Sequence, residues 1–261
     1  MRELKRISYS YLHALACPYQ AFLRYEAQIK VKPTDNLVFG SALHHGLETS
    51  HKEGWALDRA SSLFIEEFRR LIEDEEVFIP YPKMKKMEIE GKEILAIYDE
   101  RVTQGLPDTF PTEIEKEFEI PFEDEVVIVG KIDKIFHYGE DYFILDYKSG
   151  KTEPSEWFIR HDLQFTCYAW AGLELYGKLP TRLYYHSLRK NKLIETTRTL
   201  EDIEQLKQMI RNAIFMSKND LRYRVYHSEV CKWCDYVGNT CDDKELENKL
   251  VSEVNEKRQT V

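Results

Sequence analysis

The spacing of apolar positions changes character twice along this chain. From Ser8 to Cys17, apolar residues recur every three or four positions behind two hydroxyls suited to capping. That is the pattern of a short helix, and Pro18 marks its break. A second helix is expected after Gly40, through His44, Leu47 and Glu48. A third covers Leu57 to about Ile72, with Leu63, Phe64, Phe68 and Leu71 on one face, and Tyr81 to Val102 reads as a fourth. The period then drops to two. Ile114 to Ile120 alternates as a half-buried strand, Val126 to Phe136 is apolar and β-branched, and a turn at Gly139 leads to a third strand, Tyr142 to Lys148. Helical spacing returns from Trp157 to Tyr176. Two further strands, Leu183 to Leu188 and Leu193 to Leu200, flank a turn near Lys190. A helix from Asp202 to about Met216 precedes a cysteine-rich loop and a charged tail.

This order predicts one α/β domain in three stretches: a mainly helical part over 1–110, a sheet core over 111–200, and a C-terminal part over 201–261. With 261 residues, 43% of them apolar, the chain can bury a full core. No run approaches the ~20 apolar residues of a membrane span, and the N-terminus lacks a signal-peptide core. A soluble protein of the reducing cytoplasm is expected, in which the five cysteines serve as metal ligands or buried thiols. The net charge of −9 sits awkwardly with nucleic acid. Local clusters offset it: Arg182, Arg189, Lys190, Lys192 and Arg198 on one expected hairpin, then Lys207, Arg211, Lys218, Arg222 and Arg224. Each is also compatible with an ordinary mixed-charge surface.

Asp146 and Lys148 stand two apart on a strand and so project from one face, and a neighbouring strand can bring Asp133 beside them. Adjacent carboxylates repel unless a cation lies between them, and hard oxygen donors suit Mg²⁺ or Mn²⁺. A lysine beside metal-bound water can orient it for attack on phosphorus. An exposed Asp–Lys salt bridge has the same spacing, but the apolar flanks on both strands argue against exposure.

Gly130-Lys-Ile-Asp133 followed by Ile144-Leu-Asp146-Tyr-Lys148 resembles the PD-(D/E)xK motif of RecB-type exonucleases. Gly40-Ser-Ala-Leu-His44 resembles the family's Gly-x-x-x-His, and Gln164-Phe-Thr-Cys-Tyr168 its Gln-x-x-x-Tyr. The resemblance implies a restriction-endonuclease-like mixed sheet flanked by helices. It further implies metal ligation by His44, Asp133, Asp146 and the Tyr147 carbonyl, activation of the nucleophile by Lys148, and positioning by Gln164 and Tyr168. His45 adjoins His44, Tyr168 is also in keeping with a core position, and Glu115 matches a further family acid weakly. Its strand face, shared with Glu117 and Glu119, reads as solvated. Cys167 reads as a buried thiol.

Cys231, Cys234 and Cys241 form C-x2-C-x6-C, with Cys17 as a remote fourth. Zinc sites usually pair two local knuckles, so a 4Fe-4S cluster on four thiolates is the plainer reading, with zinc as the alternative. The same one-plus-three layout is found in AddB-type helicase–nucleases and in CRISPR-associated spacer-acquisition nucleases. The resemblance thus implies a metal-dependent exonuclease acting on single-stranded DNA or DNA ends, in recombination, repair, phage DNA metabolism or CRISPR adaptation. A helicase, recombinase or CRISPR integrase is the implied partner, and 5′-to-3′ the implied direction. No Walker A sequence accompanies it. The competing reading is a non-catalytic DNA-end-binding protein on the same fold.

Overall fold

The computed structural model describes residues 5–103, 113–225, 229–238, 240–242, 245 and 249–252. The chain divides into two compact units, each assembled from separated stretches: Met1–Val31, Glu119–Gly130 and Glu201–Val261 form one, Lys32–Phe118 and Lys131–Leu200 the other.

In the first unit, β1 (Arg6–Ser8) pairs parallel with the opening residues of β3 (Val127–Tyr138), Ile7 opposite Ile128. Three residues carry no readable alternation, so this strand is absent from the sequence expectation. Ser8 then caps α1 (Tyr9–Ala14) by accepting from the Tyr11 N–H at 3.2 Å. Pro18 opens α2 (Pro18–Ala21), where its missing N–H costs nothing. Phe22, Leu23, Tyr19 and Tyr236 bury together with Cys17. Helix α8 (Leu200–Lys218) buries Ile203, Leu206 and Ile210 along one side.

The second unit holds α3 (Asp35–Lys52), α4 (Leu57–Asp74) and α5 (Tyr81–Thr103). Helix α3 starts six residues before the expected point, because Thr34 accepts from the Leu37 N–H at 3.2 Å and caps it. Gly40 is therefore inside the helix. Among the described residues, β2 (Glu113–Pro121) pairs with β3 (Val127–Tyr138), and β3 runs antiparallel to β4 (Asp141–Lys148) across the two-residue turn at Gly139. Beyond β4 the chain crosses over through α6 (Glu156–His161) and α7 (Leu163–Tyr176) to β5 (Arg182–Ser187), parallel to β4. A turn at Asn191 returns it as β6 (Lys192–Thr196).

The expected single helix from Trp157 is thus two. Asp162 leaves helical geometry and caps α7, accepting from the Gln164 N–H at 2.8 Å. Arg198 takes up carbonyls freed at the break, donating to Ile159 O and Asp162 O at 2.9 Å each. It also explains why β6 ends early: Arg198 turns inward instead of continuing the strand. Phe39, Leu43 and Leu47 of α3, Phe64 and Phe68 of α4 and Leu95 of α5 pack over Phe136, Leu145 and Tyr147 of the sheet. Each such buried side chain contributes about 1.5–3 kcal/mol.

Candidate functional site

The β3–β4 register brings the acids together. Lys134 pairs with Leu145, so one step further sets Asp133 against Asp146 on a shared face. Both are buried, Asp146 to 1% exposure. Asp133 Oδ2 accepts the backbone N–H of Tyr147 at 2.7 Å and lies 3.5 Å from His44 Nδ1. Burial first, and the Asp146 carboxylate second, push the Asp133 pKa up to about 6 against the opposing pull of His44 and Lys148.

Three side chains close a ring around Asp146. Lys148 Nζ stands 2.5 Å from Asp146 Oδ2 and donates to Gln164 Oε1 at 2.8 Å. The Gln164 amide donates to Asp146 Oδ1 at 3.0 Å and to the Tyr168 hydroxyl at 2.7 Å, and Tyr168 donates on to Asp146 Oδ1 at 3.1 Å. An ammonium only donates and a carboxylate only accepts, so the Gln164 amide has one workable orientation. Asp146 Oδ2 is ion-paired to Lys148 yet accepts no hydrogen bond of good geometry. For Lys148, burial alone lowers the pKa, but the adjoining Asp146 carboxylate outweighs it and the net shift is upward. The amine is held as ammonium. The Tyr168 phenol is raised well above its ordinary value by burial and by Asp146.

Helix α3 faces an open cleft of about 420 Å³, lined by His44, His45, Glu48, Glu115, Lys131 and Asp133 among others. Gly40 lets the helix come close to the end of β4: a Cβ there would sit 2.6 Å from Ser149 Oγ. Of the two adjacent histidines, His44 is the one beside Asp133; His45 lines the same cleft. Glu48, one turn after His44, has its pKa raised by burial, with Lys131 the main opposing charge. Glu115 corrects the sequence expectation. Its side chain is only 6% exposed and ion-paired to Lys131, while Glu117 and Glu119 face solvent. Its φ of +54° breaks the strand alternation and turns the carboxylate inward, which period-two reading does not reveal.

The other candidates fare unevenly. Cys17, Cys234 and Cys241 belong to one apolar cluster, and the Cys231 thiol faces the Val225 carbonyl at 3.2 Å. Burial raises the Cys234 and Cys241 thiols, and for Cys241 Arg224 opposes the rise. Among the described residues, no three His, Cys, Asp or Glu side chains are drawn together tightly enough to hold a metal ion. The basic hairpin is largely neutralised. Arg182 pairs with Glu195, Lys190 and Lys192 with Glu153, and Arg189 with Glu90, while Arg198 is buried. Lys207, Arg211, Lys218 and Arg222 are likewise ion-paired. No helix among the described residues is long and apolar enough to cross a membrane.

A family profile described as the PD-(D/E)XK nuclease superfamily matches residues 6–241. The crystal structure of a "putative exonuclease" from Eubacterium rectale superposes with a TM-score of 0.57 at 14% identity, covering 88% of each chain. That likeness bears on the fold. The crystal structure of SSO0001 aligns at 17% identity over 82% of this chain and 92% of its own, with a TM-score of 0.38, and carries no argument. No curated protein matches the chain.

Proposed function

The chain belongs to the PD-(D/E)XK nuclease superfamily, and on that footing we propose that it is a divalent-metal-dependent DNA exonuclease acting on single strands or DNA ends. The observation that carries this reading is the paired, buried Asp133 and Asp146 with the Lys148 ammonium against them. The chemistry of the donor set suits Mg²⁺ or Mn²⁺, although its side chains, all among the described residues, are not drawn together into a ready site. Two carboxylates face each other and His44 adjoins one of them. Asp133, Asp146, His44 and the Tyr147 carbonyl would hold the ion, which when bound supplies Lewis acidity toward phosphate and water. The exonuclease name of the Eubacterium rectale neighbour supports chain-end cleavage.

The residues divide the remaining work. Lys148, kept protonated by Asp146, cannot accept a proton. It donates instead, orienting the attacking water and stabilising negative charge that builds on the phosphate. Gln164 and Tyr168 fix both Lys148 and Asp146, so the ammonium is preorganised before substrate arrives. Asp146→Asn and Lys148→Ala are each expected to slow degradation of end-labelled single-stranded DNA by on the order of 10²–10³-fold. Substrates blocked at the 5′ or 3′ end report direction in the same assay, 5′-to-3′ being the proposal. Undiminished cutting by both variants overturns the mechanism in favour of a DNA-end-binding protein.

We further propose that both units serve one nuclease, and that Cys17, Cys231, Cys234 and Cys241 carry a 4Fe-4S cluster. The gathering of three of the thiols in one apolar patch supports the cluster. Such a cross-link would close a loop of over 200 residues, stabilising the fold by about 4–5 kcal/mol or more by analogy with disulfides. Anaerobically purified protein is expected to be coloured, with iron and labile sulfide in the ratio of one cluster per chain, both lost in Cys231→Ser. A colourless protein with stoichiometric zinc rules the cluster out. The proposed setting is the cytoplasm, with a helicase, recombinase or CRISPR integrase as partner.

A further inference from the structure

Tyr147 lies between Asp146 and Lys148, so its side chain leaves β4 on the opposite face. There it enters a polar cluster set within an otherwise apolar layer. Its hydroxyl is 2.9 Å from that of Tyr98 on α5, and the Tyr98 hydroxyl is 2.7 Å from His51 Nε2 on α3. Lys134 of β3, at 0% exposure, donates to the same Tyr98 oxygen at 3.4 Å. Tyr98 thus accepts from Lys134, leaving its own proton for His51 or Tyr147. The rings enforce the arrangement: Tyr98 lies perpendicular to Tyr147 at 5.8 Å and to His51 at 5.7 Å, and Tyr147 lies perpendicular to His44 at 6.1 Å.

An apolar layer has no packing need for these groups, and phenylalanine at either tyrosine would spare a buried hydroxyl its desolvation. What the hydroxyl pair supplies is direction. A strand that rolls about its axis moves residues 146, 147 and 148 together. Fixing Tyr147 from behind therefore fixes Asp146 and Lys148 in front, and with them the Tyr147 N–H that meets Asp133. We infer that Tyr147 and Tyr98, anchored by His51 and Lys134, are positioning residues that hold the acid pair and Lys148 in register for metal binding and catalysis. This inference rests on the nuclease reading of Asp133, Asp146 and Lys148.

The test compares Tyr147→Phe and Tyr98→Phe with Leu95→Val, a change in the same layer that alters packing alone. Mn²⁺ affinity is measured by calorimetry on metal-free protein, well below each variant's Tm, beside kcat and KM on single-stranded DNA. Both tyrosine variants are expected to lose roughly ten- to a hundredfold in Mn²⁺ affinity or kcat. KM for DNA should hold within twofold, the double variant should be no worse than the more impaired single, and Leu95→Val should lose only thermal stability. Should Tyr147→Phe fail to fold, Tyr98→Phe alone decides, since it removes the anchor and leaves β4 untouched. Parent-like Mn²⁺ affinity and kcat in Tyr98→Phe, with only a lowered Tm, would assign the cluster to packing and overturn the inference. If the parent itself neither binds Mn²⁺ nor cuts DNA, the reading of the site fails first and this inference falls with it.

Discussion

At the scale of single residues, the site depends on which atoms face which. Asp146 Oδ1 receives two donors, and one of them, the Tyr168 hydroxyl, is also an acceptor for Gln164. Tyr168→Phe removes a donor from a charged acceptor and leaves the Gln164 amide short of a partner, a loss of about 1–3 kcal/mol. Activity on single-stranded DNA should fall about tenfold, and an unchanged kcat would assign Tyr168 to the core alone. Strand spacing set Asp146 and Lys148 on one face, with Asp133 reachable from a neighbouring strand. The family resemblance added Gln164 and Tyr168, which the fold brings against Asp146 and Lys148. Sequence pattern missed the inward turn of Glu115 because a positive φ at a glutamate leaves no compositional trace. It also left phosphate contacts open to arginines that the fold commits to carbonyls and carboxylates, since a charge's partner lies far away in sequence.

Whole elements followed from periodicity, and their ends did not. Helices α4 and α5 and strands β3 and β4 lie within two residues of their expected bounds. The break at Asp162 escaped, because it is sealed by Arg198 from 36 residues away. Two glycines of α3 separate element packing from side-chain crowding. At Gly46 an added Cβ meets the Ala60 carbonyl at 2.8 Å, and only parting α3 from α4 relieves the contact. At Gly40 the obstacle is the Ser149 hydroxyl, which can swing aside. Gly46→Ala should therefore destabilise by about 1–3 kcal/mol. Gly40→Ala should be neutral or gain up to about 1 kcal/mol from helix propensity. Urea midpoints of the two variants check the contrast, and equal losses would refute it.

For the molecule as a whole, the buried histidines set the response to acid. Burial lowers His51 and His186 to about 3, so the folded chain refuses protons that the unfolded chain takes up near 6.5. Their stabilisation is complete above about pH 6.5 and drains as the pH falls toward 3, at about 1.4 kcal/mol per unit for each. Asp133 runs the other way, because its raised carboxyl stabilises the fold at low pH and loses that contribution as the pH rises through about 6. Asp133, Glu48 and Asp162, all raised by burial, oppose the two histidines, so stability between roughly pH 4 and 6 climbs less steeply with pH than the histidines alone would give. Urea unfolding should then show the fold more stable at about pH 7.5 than at about pH 5, by at most about 2 kcal/mol. A flat profile would mean that the histidines are not held neutral, and His51→Gln should shallow the slope.

The two units also finish at different moments of synthesis. Every stretch of the unit that bears the carboxylates has left the ribosome once residue 200 emerges, whereas its companion awaits the residues after 201. Folding that proceeds from the amino end would let the acids, the ammonium and their glutamine assemble on the nascent chain while the last three cysteines are still held within the ribosome.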